Sequence, residues 1–277
     1  MSTLYEDWIG REERFEEEIS VSKVQAMAAT LDWDRSPQPG EPLPAGWHWL
    51  FFNPVVRRSQ LGLDGHPRRG GFLPPIENAR RMWAGSRISY LSDLPVGALA
   101  QRVSSIQKIE HKVGRTGALW FVTVSHRTFC DGVMCISEEQ DIVYREVSPG
   151  MAKSPAITPA PQHAEWSFDV VPDPTLMFRY SALTFNGHRI HYDLDYAQRV
   201  EEYPNLVMHG PLTATFMQQF CVQKTGRGLA SFEFRGVSPL FSGQTIRIFG
   251  RVNDGALDMW ASGPGDGLAM TARGTLR

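Results

Sequence analysis

The chain has 277 residues, 42% of them hydrophobic and 21% charged, with a formal net charge of -2. These values describe an ordinary globular polypeptide of about two domains. They give no basic field for nucleic acid, and no run of about 18 apolar residues predicts a membrane helix.

Residues Met1 to Arg14 are polar and acidic, unlike a secretory signal or a transit peptide, so a cytoplasmic location is expected. Cys130, Cys135 and Cys221 are an odd, widely spaced set, read as reduced thiols rather than a disulfide framework.

In chain order, Glu12 to Leu31 reads as a helix, with Val21, Val24, Ala28 and Leu31 on one face and Ser20 or Ser22 at its start. Pro37, Pro39, Gly40, Pro42, Pro44 and Gly46 make 34–46 a loop, and Trp47 to Phe52 is a strand candidate. Residues 57–75 are rich in basic residues, Gly and Pro and read as an irregular excursion. From Arg87 to Arg145, alternating β-prone runs separated by turns predict a meander of long antiparallel strands. Trp83 and Trp120 are expected in the core. Four prolines (Pro149, Pro155, Pro159, Pro161) mark 149–163 as a linker between a domain at 1–148 and another at 164–277.

The second half repeats this grammar. Trp166 to Val171 and Met177 to Thr184 read as extended, and His209 to Val222 as a helix with Leu212, Phe216, Met217 and Phe220 inward. Four further strands are expected over 229–237, 244–252, 257–262 and 267–276. Each half is then a helix plus an antiparallel sheet. The fold class is α+β, a double hot dog with each sheet wrapped on a central helix.

Chemistry concentrates in Phe185-Asn186-Gly187-His188-Arg189-Ile190-His191-Tyr192-Asp193 and in Pro204 to Leu212, which ends in His209-Gly210. Three of the eight histidines fall between 188 and 209. The first segment offers imidazoles for proton transfer. The second opens a helix, whose first N–H groups lack acceptors and favour a developing oxyanion. Gly210 permits close approach of a ligand, and Pro211 suits a first helical turn. Read blandly, the same residues are a polar loop and a punctuated helix start. His188 and His191, with Asp193, also have the donor types for a metal, but the segment lacks the helical pattern that would hold them, and no metal is expected. Arg68, Arg69, Arg80 and Arg81 read as a solvated basic loop or as an anion clamp.

These residues resemble the MaoC-like (R)-specific enoyl-CoA hydratases, whose motif runs roughly Asp-x-Asn-Pro-x-His with a later Pro-x-x-His-Gly. Anchored on His191, this chain has Asn186 at the motif's Asp, His188 at its Asn and Arg189 at its Pro, with His209-Gly210 matching downstream. Gly71 to Pro75 and Arg80 to Gly85 are similar to the N-terminal half of hydroxyacyl-thioester dehydratases. The string through Asp193 is most similar to the branch acting on itaconyl-CoA and mesaconyl-CoA.

The resemblance implies reversible hydration of a short enoyl-CoA, with His191 activating water and Gly210 N–H polarising the thioester carbonyl. Asn186 positions water without taking a proton, and His188 is the alternate second base. Arg81 or Arg189 would hold a substrate carboxylate, Arg189 being the alternative for CoA phosphates. His209 and Tyr192 complete the substrate contacts. CoA is part of the substrate and no separate cofactor is implied; a homodimer is an open option. The other readings are a dehydratase of longer 3-hydroxyacyl thioesters and, because of Asn186, a non-catalytic acyl-thioester binder.

Overall fold

The computed structural model describes residues 4–77, 79–114, 117–146, 157–253 and 255–277. Ten strands form one antiparallel sheet in the order β1-β3-β4-β5-β2-β7-β10-β9-β8-β6. The first half contributes β1 (Glu12–Glu18), β2 (Ala79–Tyr90), β3 (Leu99–Gly114), β4 (Gly117–Cys130) and β5 (Val133–Glu146). The second contributes β6 (Trp166–Val170), β7 (Leu229–Gly236), β8 (Ile246–Asn253), β9 (Ala256–Ser262) and β10 (Leu268–Leu276). The halves join where β2 pairs with β7, from Gly85↔Arg235 to Ser89↔Ser231. Residues 149–156 of the expected linker lie outside the described residues; in the remainder, Pro159 bridges to Gly267.

Among the described residues four α-helices complete the fold: α1 (Val21–Thr30), α2 (Pro174–Leu183), α3 (Leu194–Arg199) and α4 (Gly210–Thr225). Helix α4 is buried on most sides, with Leu212, Ala214, Phe216, Met217 and Phe220 all inside, and packs on β7, β8 and β9. Gly226, in the left-handed region at φ 66°, ends it. One continuous apolar cluster runs from Ile19 and Trp47 in the first half to Met217 and Ile248 in the second. The architecture is the double hot dog expected from the pattern.

Three local expectations are corrected. Glu12–Glu18 is an edge strand rather than helix, paired from Glu12↔Ser105 to Glu18↔Leu99. Its period-2 burial and the partner β3 override the helix propensity of a Glu-rich run, and the outward acids suit an edge. Trp47–Leu50 is a buried 3-10 turn, not a strand. Met177 to Leu183 lies in helix α2, with Thr184 at its C-cap; Pro174 in its first turn and Asp173, whose carboxylate accepts from Leu176 N–H at 2.8 Å, start it. Trp83 and Trp120 are only partly buried, each packed on a core cluster. All three cysteines are free and buried.

The irregular excursion after residue 57 docks on the second half. Gly65 lies at φ +88°, and a Cβ there would overlap the Gly187 carbonyl oxygen; a Cβ on Gly187 would stand 2.7 Å from the Gly65 oxygen. Arg189 N–H donates to Asp64 O at 2.9 Å across the same contact. Gly65→Ala is therefore expected to lower the Tm by several degrees, since a side chain at positive φ alone costs about 1–3 kcal/mol. Gly71→Ala, with no atom within 4 Å of its Cβ, should leave the Tm unchanged. Thermal unfolding of the two variants checks this.

Candidate active site

The segment after α2 turns sharply. Phe185 takes φ 50°, Asn186 N–H donates to Ser181 O at 2.8 Å, and Asn186 Oδ1 accepts from His188 N–H at 3.0 Å. The Asn186 side chain thus closes an Asx turn. A short 3-10 turn, Arg189–His191, follows and buries His191. On the far side, the 204–209 loop runs into α4 with His209 at its N-cap position. The two segments are tied by Val207 N–H donating to Ile190 O at 2.9 Å and by His191 Nδ1 against Val207 O at 2.7 Å.

That last bond fixes the chemistry of His191. A carbonyl only accepts, so Nδ1 carries the hydrogen and the neutral ring keeps its lone pair on Nε2. Burial pushes the His191 pKa down to about 4, only partly opposed by the Val207 bond, so the ring is neutral at pH 7. It stacks on His209, centroids 3.6 Å apart at 19°. His209 is itself lowered, by burial first and then by His191 and His188, and its Nε2 bonds Ser181 Oγ at 2.8 Å. The His188 ring stands perpendicular to His191 at 5.5 Å. Burial, then the nearby His66 and His191 rings, take His188 down to about 2.

These groups open onto a cleft of about 1990 Å³ between the halves, lined among others by Asn186, His188, His191, Tyr192, His209 and Gly210. Gly210 N–H belongs to the first turn of α4, ahead of any i-4 acceptor. Outside its chain neighbours and its own helix backbone, the atom nearest a Cβ on Gly210 would be Met270 Cε at 4.0 Å. A neutral imidazole beside a helix N-terminus can move a proton next to an oxyanion site.

Other expected residues have different tasks. Arg189 is engaged: its Nε and Nη2 donate to Asp193 at 3.0 and 2.7 Å, its Nη1 to Leu63 O at 3.1 Å, and its guanidinium covers Tyr196 at 4.2 Å. It pins the motif to the docked loop. Asp193 caps α3 and pairs with Arg189, so it orients no imidazole and forms no metal set with His188 and His191. Arg80 pairs with Glu201 at 2.7 Å. Arg81 is half-buried in the cleft wall, and its charge acts on Asp64, His66 and His188. No ion pair among the described residues neutralises it. The Tyr192 hydroxyl donates to Gly187 O at 3.0 Å.

Two site residues were missed from sequence: Asp64 and His66, on the docked loop. His66 Nδ1 meets Asp64 Oδ2 at 3.1 Å, and the His66 ring lies 4.2 Å from that of His188. One donor atom each from Asp64, His66 and His188 falls within 4.8 Å of the others. At the first-half end of the cleft, buried Glu138 accepts from Trp49 Nε1 and meets His48 Nε2 at 3.0 Å. Burial alone would raise Glu138, but the His48 bond and the His48 and His126 charges hold it down to about 2.

The buried imidazoles set a pH dependence. His66, His126 and His191 all lie near 4, with burial the leading cause in each, against an ordinary 6.5. Between those values the unfolded chain binds more protons, so stability falls as pH drops from about 6.5 to about 4 and is retained above. The acidic limb of kcat/KM is correspondingly expected near pH 4, with a flat profile across the neutral range, where an unburied imidazole would titrate. pH–rate measurement and Tm against pH check both.

A neutral imidazole beside a helix N-terminus in a hot-dog cleft has the groups that a thioester hydro-lyase needs. The sequence profile of the family described as hydroxyacyl-thioester dehydratase type 2 matches residues 46–242. The chain is 47% identical over 269 residues to mesaconyl-C(4)-CoA hydratase of Chloroflexus aurantiacus, covering 96% of this chain and 95% of the relative. It is 30% identical over 236 residues to the mitochondrial hydroxyacyl-thioester dehydratase type 2 of Schizosaccharomyces pombe, covering 74% and 77%. A solved MaoC-like dehydratase matches with TM-score 0.75 at 14% identity, over 98% of this chain and 99% of that one. A Mycobacterium tuberculosis protein described as a double hot dog matches with TM-score 0.62 at 11% identity, over 97% and 96%. The chain belongs to the hydroxyacyl-thioester dehydratase type 2 family.

Proposed function

We propose that this protein hydrates a short dicarboxylic enoyl-CoA, a 2-enoyl thioester of the mesaconyl type or the related methylene thioester itaconyl-CoA, giving citramalyl-CoA. The observation that carries the reading is Arg81, a half-buried cation in the cleft wall, free of an ion pair among the described residues and electrostatically coupled to His188 and His66. A buried carboxylate needs such a partner, and a guanidinium offers it two donors in one plane. The near full-length identity to mesaconyl-C(4)-CoA hydratase supports the same substrate class.

With the conjugated mesaconyl thioester, the thioester oxygen sits at Gly210 N–H, which draws electrons from the β-carbon. His191 Nε2 takes a proton from water as the water oxygen bonds that carbon. The C=C electron pair moves onto the thioester oxygen, and the helix N-terminus holds the enolate. The His191 imidazolium then returns its proton to the α-carbon. Asn186 keeps the turn that presents His188.

The size of the cleft favours a second reading, a dehydratase of longer 3-hydroxyacyl thioesters. Measuring kcat/KM over enoyl-CoAs of rising chain length, with and without a free carboxylate, separates the two. A maximum at mesaconyl-CoA or itaconyl-CoA supports the first; a rise with alkyl length supports the second.

A further inference from the structure

In the motif that this chain resembles, a carboxylate stands where Asn186 stands, and an amide cannot take that role. The fold brings another carboxylate to the site from the other half of the chain. The loop carrying Asp64 and His66 is held against the motif by the Gly65–Gly187 approach, by Arg189 N–H to Asp64 O at 2.9 Å, and by Arg189 Nη1 to Leu63 O at 3.1 Å. Asp64 then makes two bonds to His66: Oδ1 accepts the backbone N–H and Oδ2 faces ring Nδ1, each at 3.1 Å. A carboxylate there holds the hydrogen on Nδ1 and turns an Nε2 lone pair outward. His66 lines the cleft, its ring 4.2 Å from His188, which stands 5.5 Å from His191.

We propose that the Asp64–His66 pair is the second polar arm of the catalytic site, with His66 Nε2 accepting a hydrogen bond from the water that His191 deprotonates. The inference rests on the hydratase reading above. One water hydrogen passes as a proton to His191 and later to the α-carbon. The other stays on oxygen, becomes the product hydroxyl, and is held by His66 throughout. His66 is thus a catalytic residue and Asp64 its positioning residue, fixing the tautomer. Asp64, His66 and His188 also have metal-ligand types, with one donor atom of each within 4.8 Å of the others. Two features of the site favour the water-holding role. The Asp64 oxygens are already bonded to His66, and the Arg81 charge acts on Asp64, His66 and His188 alike; a cation would have to displace the first and sit beside the second.

The test uses full-length wild type, His66→Gln and Asp64→Asn, assayed for hydration of mesaconyl-C4-CoA, with Tm measured alongside. Gln keeps the bulk that packs the loop but offers no lone pair held by Asp64. The expected result is a loss of about 10–1,000-fold in kcat for His66→Gln, with KM within about threefold, Tm within a few degrees, and a smaller loss for Asp64→Asn. An active wild type with His66→Gln equal to it overturns the pair alone, as does a variant that loses Tm and KM together with kcat. Activity lost on chelation and restored by a divalent cation also overturns it, in favour of a metal held by these residues. A wild type silent on every enoyl-CoA of the panel overturns both the pair and the hydratase reading.

Discussion

His191→Ala is expected to lower kcat by about two to four orders of magnitude, the range for loss of a general acid–base group. Val207 O takes the Nδ1 hydrogen at 2.7 Å, so Nε2 is the lone pair turned to the cleft. His209 Nε2 is bonded to Ser181 Oγ and its Nδ1 is buried, and His188 is the alternate base to be replaced next if the variant stays active. Folding should survive, because the ring is held by one hydrogen bond and one stack rather than by the main apolar cluster. Steady-state kinetics with a circular-dichroism melt reads both. An unchanged kcat would remove His191 from the chemistry.

Arg81→Met should discriminate between substrates. Losing a charged hydrogen bond to a carboxylate costs about 1.5–3 kcal/mol, or about 10–150-fold in KM for mesaconyl-CoA. Crotonyl-CoA, which has no free carboxylate, should change little. Arg189→Met should not discriminate, since Arg189 is bound to Asp193 and Leu63 O, and its loss should appear in Tm instead. Equal KM effects of Arg81→Met on both substrates would leave the dicarboxylate assignment without its physical support.

Much of this molecule was legible locally. The strands after residue 229 show clear alternation broken by turns, and α4 announces itself through His209-Gly210-Pro211 and the inward row Leu212, Phe216, Phe220. The failures have physical causes. Glu12–Glu18 carries the composition of a helix, and only its pairing with β3, far along the chain, makes it a strand. Helix α2 was hidden by β-prone Phe178, Tyr180 and Thr184, although Asp173-Pro174 is a helix start that could have been read.

The site divides the same way. His191 and Gly210 stand in recognisable segments. The partners of Arg189, Asp193 and the docked loop, are set by folding and are not visible in its segment. Asp64 and His66 sit in an irregular loop whose only signal is Gly65. Its meaning depends on Gly187, and nothing in a single sequence links the two. The low imidazole pKa values were equally out of reach, since burial is a property of the packed cleft.

The central claim is that water adds to an enoyl thioester in this cleft at His191. Its most direct test is a mass measurement of mesaconyl-C4-CoA incubated with wild type and with His191→Ala in heavy-oxygen water. Wild type is expected to convert the thioester to a product heavier by one labelled water, with the label in the new hydroxyl, while the variant forms it at least about a hundredfold more slowly. No labelled product from wild type, or equal rates from both proteins, would contradict it.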